Sequence, residues 1–85
     1  MDGATLVELF NWSEEDFSRM TEGSALRRIG YLRWLRNLAV GLGNAARAGK
    51  PRPDIVAALD ARARHESELV REHVEWALAQ HAKLA

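Results

Sequence analysis

Three histidines, His65, His73 and His81, are the side chains of this chain best suited to acid-base or metal chemistry, and they recur every eight residues. On a helix that interval turns successive rings by about 80°, so the three rings do not share one face. Metal-binding histidines on helices are usually three or four residues apart, and a His-Glu-x-x-His pattern does not occur. The spacing therefore predicts structural histidines, with His73 partly buried and hydrogen-bonded.

Paired carboxylates, Glu68 with Glu72 and Glu72 with Glu75, are a second candidate for acid-base chemistry. Such chemistry needs a pocket that shifts a carboxyl pKa, whereas compensating charges around these residues favour a solvated helix face. Residues 41–46 also fit the dinucleotide-binding fingerprint Gly-x-Gly-x-x-Ala. Because a helical pattern, not a strand, precedes these glycines, we expect them to allow close helix packing and to end a helix. We predict no catalytic residue in this chain.

A basic block, residues 27–52, is the feature that points to a binding function. It contains seven Arg and Lys residues and no acid, although the formal net charge of the 85 residues is zero. Such a surface can follow a phosphate backbone, and Tyr31 and Trp34 within it could stack on exposed bases. The structural alternative is that the block pairs with the acidic N-terminal third. The residues that we predict to contact nucleic acid are Arg27, Arg28, Arg33, Arg36 and Lys50.

Caps and apolar spacing in the sequence predict the helices that would position these residues. Ser13 and Ser67 are predicted to cap helices that start at Glu14 and Glu68, and Pro53 to be the first residue of another helix. A longer helix is predicted from Ser24 into the forties, with a kink or a second start near Tyr31 because of Gly30. No period-two alternation persists, so strands are not expected.

Apolar periodicity predicts which helix faces turn inward. The predicted inner residues of the last three helices include Leu32, Leu35, Leu38, Ala39, Leu42, Ile55, Val56, Leu59, Ala63, Leu69, Val70, His73, Ala77 and Leu84. We also predict that the Trp76 ring belongs to the core.

The two longest helical patterns carry a similar design, with Arg36 and Arg71 in equivalent places 35 residues apart. That interval lies in the range of paired-helix arrays such as HEAT and armadillo units. We therefore predict an all-α, HEAT-like helical repeat of about five helices in two stacked hairpins, as a single domain over residues 1–85. Arrays of this kind usually need about three repeats, so one flank should rest on another surface. The predicted cap of that flank is Leu6, Leu9, Phe10, Trp12 and Phe17.

The two equivalent arginines have two explanations. Arg36 and Arg71 could bridge to acids of the neighbouring repeat unit, or they could contact phosphates.

The same motifs carry a resemblance to a known family. They include Gly23-Ser24, Arg27-Arg28, Leu35-Arg36-Asn37, Leu42-Gly43-Asn44, Leu69-Val70-Arg71-Glu72-His73 and Trp76-Ala77-Leu78. Together they resemble the C-terminal helical-repeat region of bacterial epoxyqueuosine reductases. The resemblance covers almost the whole chain, from about Leu9 to Leu78, and its last two motifs are the most specific.

The resemblance implies a parent oxidoreductase that reduces epoxyqueuosine to queuosine in tRNA, with cobalamin and two 4Fe-4S clusters. This chain has no cysteine, so its own side chains cannot ligate such clusters by thiolates. The resemblance thus implies a C-terminal piece of a larger iron-sulfur protein, with no cofactor of its own. Its expected partners are the catalytic part of the same polypeptide and tRNA.

The remaining expectations concern cellular context. No signal peptide or membrane span is visible, so we expect a cytoplasmic protein without membrane contact. We also expect a monomer. A different class of function also fits the sequence, namely a free-standing helical-repeat module for protein-protein interaction. In that case Trp12, Trp34 and Trp76 are the candidate anchors, since tryptophan is enriched in binding hot spots.

Overall fold

The computed structural model describes residues 3–84, which contain helices and turns but no strand. The five α-helices are α1 Gly3–Phe10, α2 Glu14–Met20, α3 Tyr31–Asn44, α4 Pro53–Asp60 and α5 Glu68–Ala82. Short 3-10 helices, Ala25–Ile29 and Ala45–Ala48, flank α3. The predicted all-α class with about five helices is confirmed. No helix in the described part of the chain is long and apolar enough to cross a membrane.

Local capping explains where two of these helices begin. The Ser13 hydroxyl accepts a hydrogen bond from the Asp16 N–H at 3.1 Å, and the Asp16 carboxylate accepts one from the Ser13 N–H at 3.1 Å. The backbone hydrogen bond from Ser13 is the main reason why the pKa of Asp16 lies below its usual value. At the start of α5 the Ser67 oxygen accepts from the Val70 N–H. Both predicted caps are confirmed, as is Pro53 as the first residue of α4.

Gly30 divides the long helix that the sequence predicts from Ser24. Its φ of 84° lies in the left-handed region that favours glycine. The 3-10 helix therefore ends at Ile29, and α3 begins at Tyr31. Of the two arrangements that the sequence left open, the second start near Tyr31 is the one observed.

The centre of the core lies between α3 and α5, and α1 and α4 pack against this pair. Buried positions of α3 recur 35 residues later on α5. These positions are Leu35 and Val70, Ala39 and Val74, and Leu42 and Ala77, all of which are buried. The two helices therefore bury residues at three equivalent positions.

Glycine allows α3 and α5 to approach closely. A Cβ atom added at Gly43 would clash with the Trp76 ring and lie 3.0 Å from the Cα of Ala77. At Gly41 a Cβ would meet the end of the Leu6 side chain at 3.4 Å, which is an ordinary contact. The prediction that the glycines allow close helix packing is confirmed for Gly43. The prediction that they end the helix is wrong, because α3 continues to Asn44.

Four apolar residues that were predicted to face inward are exposed instead. They are Leu32, Val56, Leu69 and Trp76, with exposed fractions between 37 and 44%. The prediction of Trp76 as a core residue is wrong, because the buried stripe of α5 runs through Val70, Val74, Ala77 and His81. That stripe is rotated from the predicted one, which included Leu69 and His73.

The N-terminal flank closes the core as predicted. Phe10 is fully buried, and Leu6 and Leu9 pack beside it. The Arg62 guanidinium donates from Nε to the Phe10 carbonyl and from Nη2 to the Trp12 carbonyl, each at 2.9 Å. These bonds hold the end of α1 against the segment after α4.

The predicted domain limits, residues 1–85, stay a prediction. They include Met1, Asp2 and Ala85, which lie outside the described residues.

Candidate nucleic-acid interface

The five residues predicted to contact nucleic acid differ in exposure. Arg27, Arg28, Arg33 and Lys50 are exposed, whereas Arg36 is only partly exposed. Arg27 donates from Nη2 to the Ser18 hydroxyl at 3.1 Å, so part of its hydrogen-bonding capacity is used internally. Arg28 and Arg33 are therefore the strongest phosphate-binding candidates near the start of α3.

Ion pairs in the described part of the chain do not neutralise the basic block from the N-terminal side. They join Arg19 to Asp16 at 3.0 Å and Arg52 to Asp54 at 2.7 Å. Neither pair links the block to the acidic N-terminal third. The described ion pairs therefore do not support the structural alternative, in which the basic block pairs with the acidic N-terminal third.

The equivalent residues Arg36 and Arg71 have different surroundings. Arg71 donates from Nη1 to the carbonyl oxygens of His65 at 2.8 Å and Glu66 at 3.0 Å, which closes the turn before α5. The Nε atom of Arg36 is buried, with no hydrogen-bond partner among the described residues. The expectation that both arginines bridge to acids of a neighbouring unit is wrong for the described residues.

Tyr31 and Trp34, the aromatic residues of the basic block, are occupied inside the molecule. Trp34 stacks on Trp12 with ring centroids 5.6 Å apart, and Phe17 packs on Trp34 at 5.3 Å. The Tyr31 hydroxyl donates to the Trp12 carbonyl at 2.6 Å, and burial raises the pKa of Tyr31. These rings form an aromatic cluster that holds α2 against α3, so neither is an open platform for a base.

The exposed basic residues lie at both ends of α3. Arg27 and Arg28 precede the helix and Lys50 follows it, while the 14 residues of α3 span about 21 Å. Arg33 and Asn44 lie within about 20° of each other around the helix axis, on its outer face. A single face of α3 therefore connects the two basic ends.

A recess lies where the last turns of α3 and α5 meet. It is lined by Asn44, Arg47, Trp76, Gln80 and Lys83 among others. The sequence interpretation missed Arg47 and Lys83 as site residues. The spacing could have indicated Lys83, because it follows Trp76 by seven residues and therefore shares its side of α5.

All three histidines are hydrogen-bonded within the fold. His65 Nδ1 accepts from the Ser67 N–H at 3.0 Å, His73 Nδ1 donates to the Leu69 carbonyl at 2.8 Å, and His81 Nε2 donates to the Leu42 carbonyl at 2.7 Å. His73 is half-buried, as predicted.

The carboxylates of Glu68, Glu72 and Glu75 are exposed, in agreement with a solvated helix face.

Comparison with known proteins identifies relatives of this chain. No family model and no solved structure matches it. Over 81 residues, or 95% of the chain, it is 58% identical to an epoxyqueuosine reductase of Xanthomonas campestris. The identity is 60% over 98% of the chain for the Pseudomonas aeruginosa enzyme, and 63% over 92% for that of Burkholderia pseudomallei. This chain matches the C-terminal fifth of epoxyqueuosine reductases. The resemblance that its motifs carry is confirmed.

The epoxyqueuosine reductases in this comparison are much longer proteins. The chain spans 22% of the Xanthomonas and Pseudomonas proteins and 21% of the Burkholderia protein. The residues present do not fit the iron-sulfur clusters that the resemblance implies. The chain has no cysteine, and the described His, Asp and Glu residues form no group of three or more able to hold a metal ion.

Proposed function

We propose that this chain is the non-catalytic C-terminal domain of a longer epoxyqueuosine reductase, in which it braces the catalytic part and contributes to tRNA binding. The identity of 58 to 63% over nearly the whole chain carries this proposal. The parent is then a cytoplasmic, monomeric oxidoreductase acting on epoxyqueuosine in tRNA. Its cobalamin and 4Fe-4S clusters are bound outside these 85 residues.

Within this proposal the domain is a HEAT-like repeat. The burial of equivalent positions 35 residues apart on α3 and α5 supports that assignment. The two helices also meet in the same order along their sequences, so that residues further along α3 lie beside residues further along α5. Val40 shares a recess with Glu72 and His73, and further along both helices Arg47 shares one with Gln80 and Lys83. Helices in equivalent places of adjacent repeats run parallel in stacked arrays, which is the arrangement that these contacts indicate.

The tRNA-binding part of the proposal rests on the exposed basic residues. Arg28 and Arg33 are exposed and take part in none of the described ion pairs. A phosphate oxygen is the acceptor that an exposed guanidinium suits best, because it offers charge and two hydrogen-bond sites. The proposed phosphate contacts are Arg27, Arg28, Arg33, Arg36 and Lys50, with Arg28 and Arg33 at their centre.

Charge reversal tests these contacts. We expect the double variant Arg28→Glu/Arg33→Glu to keep the circular dichroism spectrum of the wild-type chain and to bind unfractionated tRNA roughly tenfold more weakly at low salt, because two phosphate contacts become repulsive. Arg64→Glu is the control, since it reverses an exposed arginine outside the basic block. Equal tRNA affinities of the double variant and the wild type would refute the phosphate contacts.

One observation favours the alternative function, a free-standing protein-interaction module. Trp76 is 41% exposed and available to a partner, whereas Trp12 and Trp34 stack on each other. A contact centred on an aromatic residue should depend little on salt, whereas phosphate binding should weaken steeply as salt rises. Salt dependence therefore separates the two functions.

A further inference from the structure

The Trp76 ring combines exposure with a fixed position. About two-fifths of the residue is open to solvent, although one side of the ring lies against Gly43. The missing side chain at Gly43 makes that contact possible, and the backbone of α3 limits movement of the ring on this side. An exposed aromatic ring held in this way is a suitable platform for stacking a flat, unpaired base.

The surroundings of the ring are polar and differ in charge on its two sides. On the side toward the end of α5, Arg47 and Lys83 are exposed and line the same recess as Trp76. Neither takes part in a described ion pair, and the described residues that line this recess include no carboxylate. On the opposite side Glu72 lines the neighbouring recess. A ligand that carries negative charge next to an aromatic group is therefore favoured on the Arg47 and Lys83 side.

Amide groups supply hydrogen-bonding capacity at the same place. Asn44 and Gln80 line the recess, and Gln80 Nε2 donates to the Trp76 carbonyl at 3.3 Å. That bond holds the amide one helical turn from the ring and leaves its oxygen as an acceptor. A side-chain amide can both donate to and accept from the edge of a base.

We propose that Trp76, Arg47, Lys83, Gln80 and Asn44 form a subsite for one unpaired nucleotide of single-stranded RNA. The base stacks on Trp76, its edge lies near the two amides, and the flanking phosphates lie on Arg47 and Lys83. This subsite rests on the proposed tRNA function and extends it from phosphate contact to an unstacked base. Asn44 shares the outer face of α3 with Arg33, so one RNA strand can reach both.

A labelled decauridylate tests the subsite, because it presents bases and phosphates without pairing. We expect Trp76→Leu to bind it roughly 5-fold or more weakly than the wild-type chain, and Trp76→Phe to keep most of the affinity, since stacking needs an aromatic ring. Lys83→Glu is a second variant at an exposed position, and it should weaken binding without a change in the unfolding midpoint. Arg64→Glu is the control for charge alone.

Three outcomes would overturn the subsite. The first is a wild-type chain that does not bind decauridylate. The second is a folded Trp76→Leu variant that binds it as well as the wild type does, and the third is an equal loss of affinity in Trp76→Leu and Trp76→Phe. Wild-type affinity in the Leu variant would indicate that the exposed indole serves a protein contact.

Titration of tRNA with Arg28→Glu/Arg33→Glu distinguishes a failure of the subsite from a failure of the proposed function. Reduced tRNA affinity in that variant, together with unchanged decauridylate binding by Trp76→Leu, overturns the subsite alone. Unchanged tRNA affinity in that variant overturns the proposed phosphate contacts, whatever the Trp76 variants show.

Discussion

At the scale of single residues, Gly43 illustrates how a missing side chain sets a helix contact. The Trp76 ring and the Cα of Ala77 occupy the space that a Cβ would need. The Cα of Ala77 belongs to the backbone of α5, so it cannot make room for a Cβ unless that helix shifts. Gly41, two residues earlier in the same helix, meets only the flexible end of Leu6.

We expect Gly43→Ala to lower the free energy of unfolding by about 1 to 2 kcal/mol, because overpacking outweighs the gain of about 1 kcal/mol in helix propensity. Gly41→Ala is the matched control and should be neutral or stabilising by up to about 1 kcal/mol. Urea unfolding followed by circular dichroism measures both. If Gly43→Ala were as stable as Gly41→Ala, α3 and α5 would not be held as closely as described.

At the scale of elements, α1 depends on a side chain from far along the chain. Arg62 lies 50 and 52 residues away from the carbonyls of Trp12 and Phe10 that it binds. Its guanidinium carbon also lies 5.4 Å from the centre of the Phe10 ring. A positive charge at the C-terminal end of a helix is favourable, because the helix dipole is negative there.

We expect Arg62→Met to destabilise the chain by about 2 kcal/mol, since two charge-assisted hydrogen bonds are lost and their carbonyl acceptors are left without these donors. Arg64→Met removes an exposed arginine two residues later and should change stability by less than about 0.5 kcal/mol. Thermal unfolding compares the two variants. Similar midpoints for both would show that Arg62 does not anchor α1.

The starts of the helices could be predicted from local chemistry, whereas contacts between distant residues could not. Ser13, Ser67 and Pro53 act within one turn of their own position, so the sequence alone indicated their role. The exposure of Trp76 depends on how α5 is rotated against α3, which local periodicity does not determine. For the same reason the sequence indicated a basic block but not that Tyr31 and Trp34 are used internally.

At the scale of the whole molecule, two parallel helices with equivalent buried faces support the repeat assignment. Residues 3–84 contain only two such helices, and stacked arrays usually need about three repeats for stability. The packing of α1 on α3 and α4 covers one side of the array.

The most direct test of the central claim is the tRNA affinity of the wild-type chain as a function of salt concentration. Four or five phosphate contacts predict a slope of about −3 to −5 in a plot of log association constant against log salt concentration. In Arg28→Glu/Arg33→Glu the slope should be smaller in magnitude by about 2, or about 1 for each lost contact. A slope near zero, or no tRNA binding even at low salt, would contradict the account.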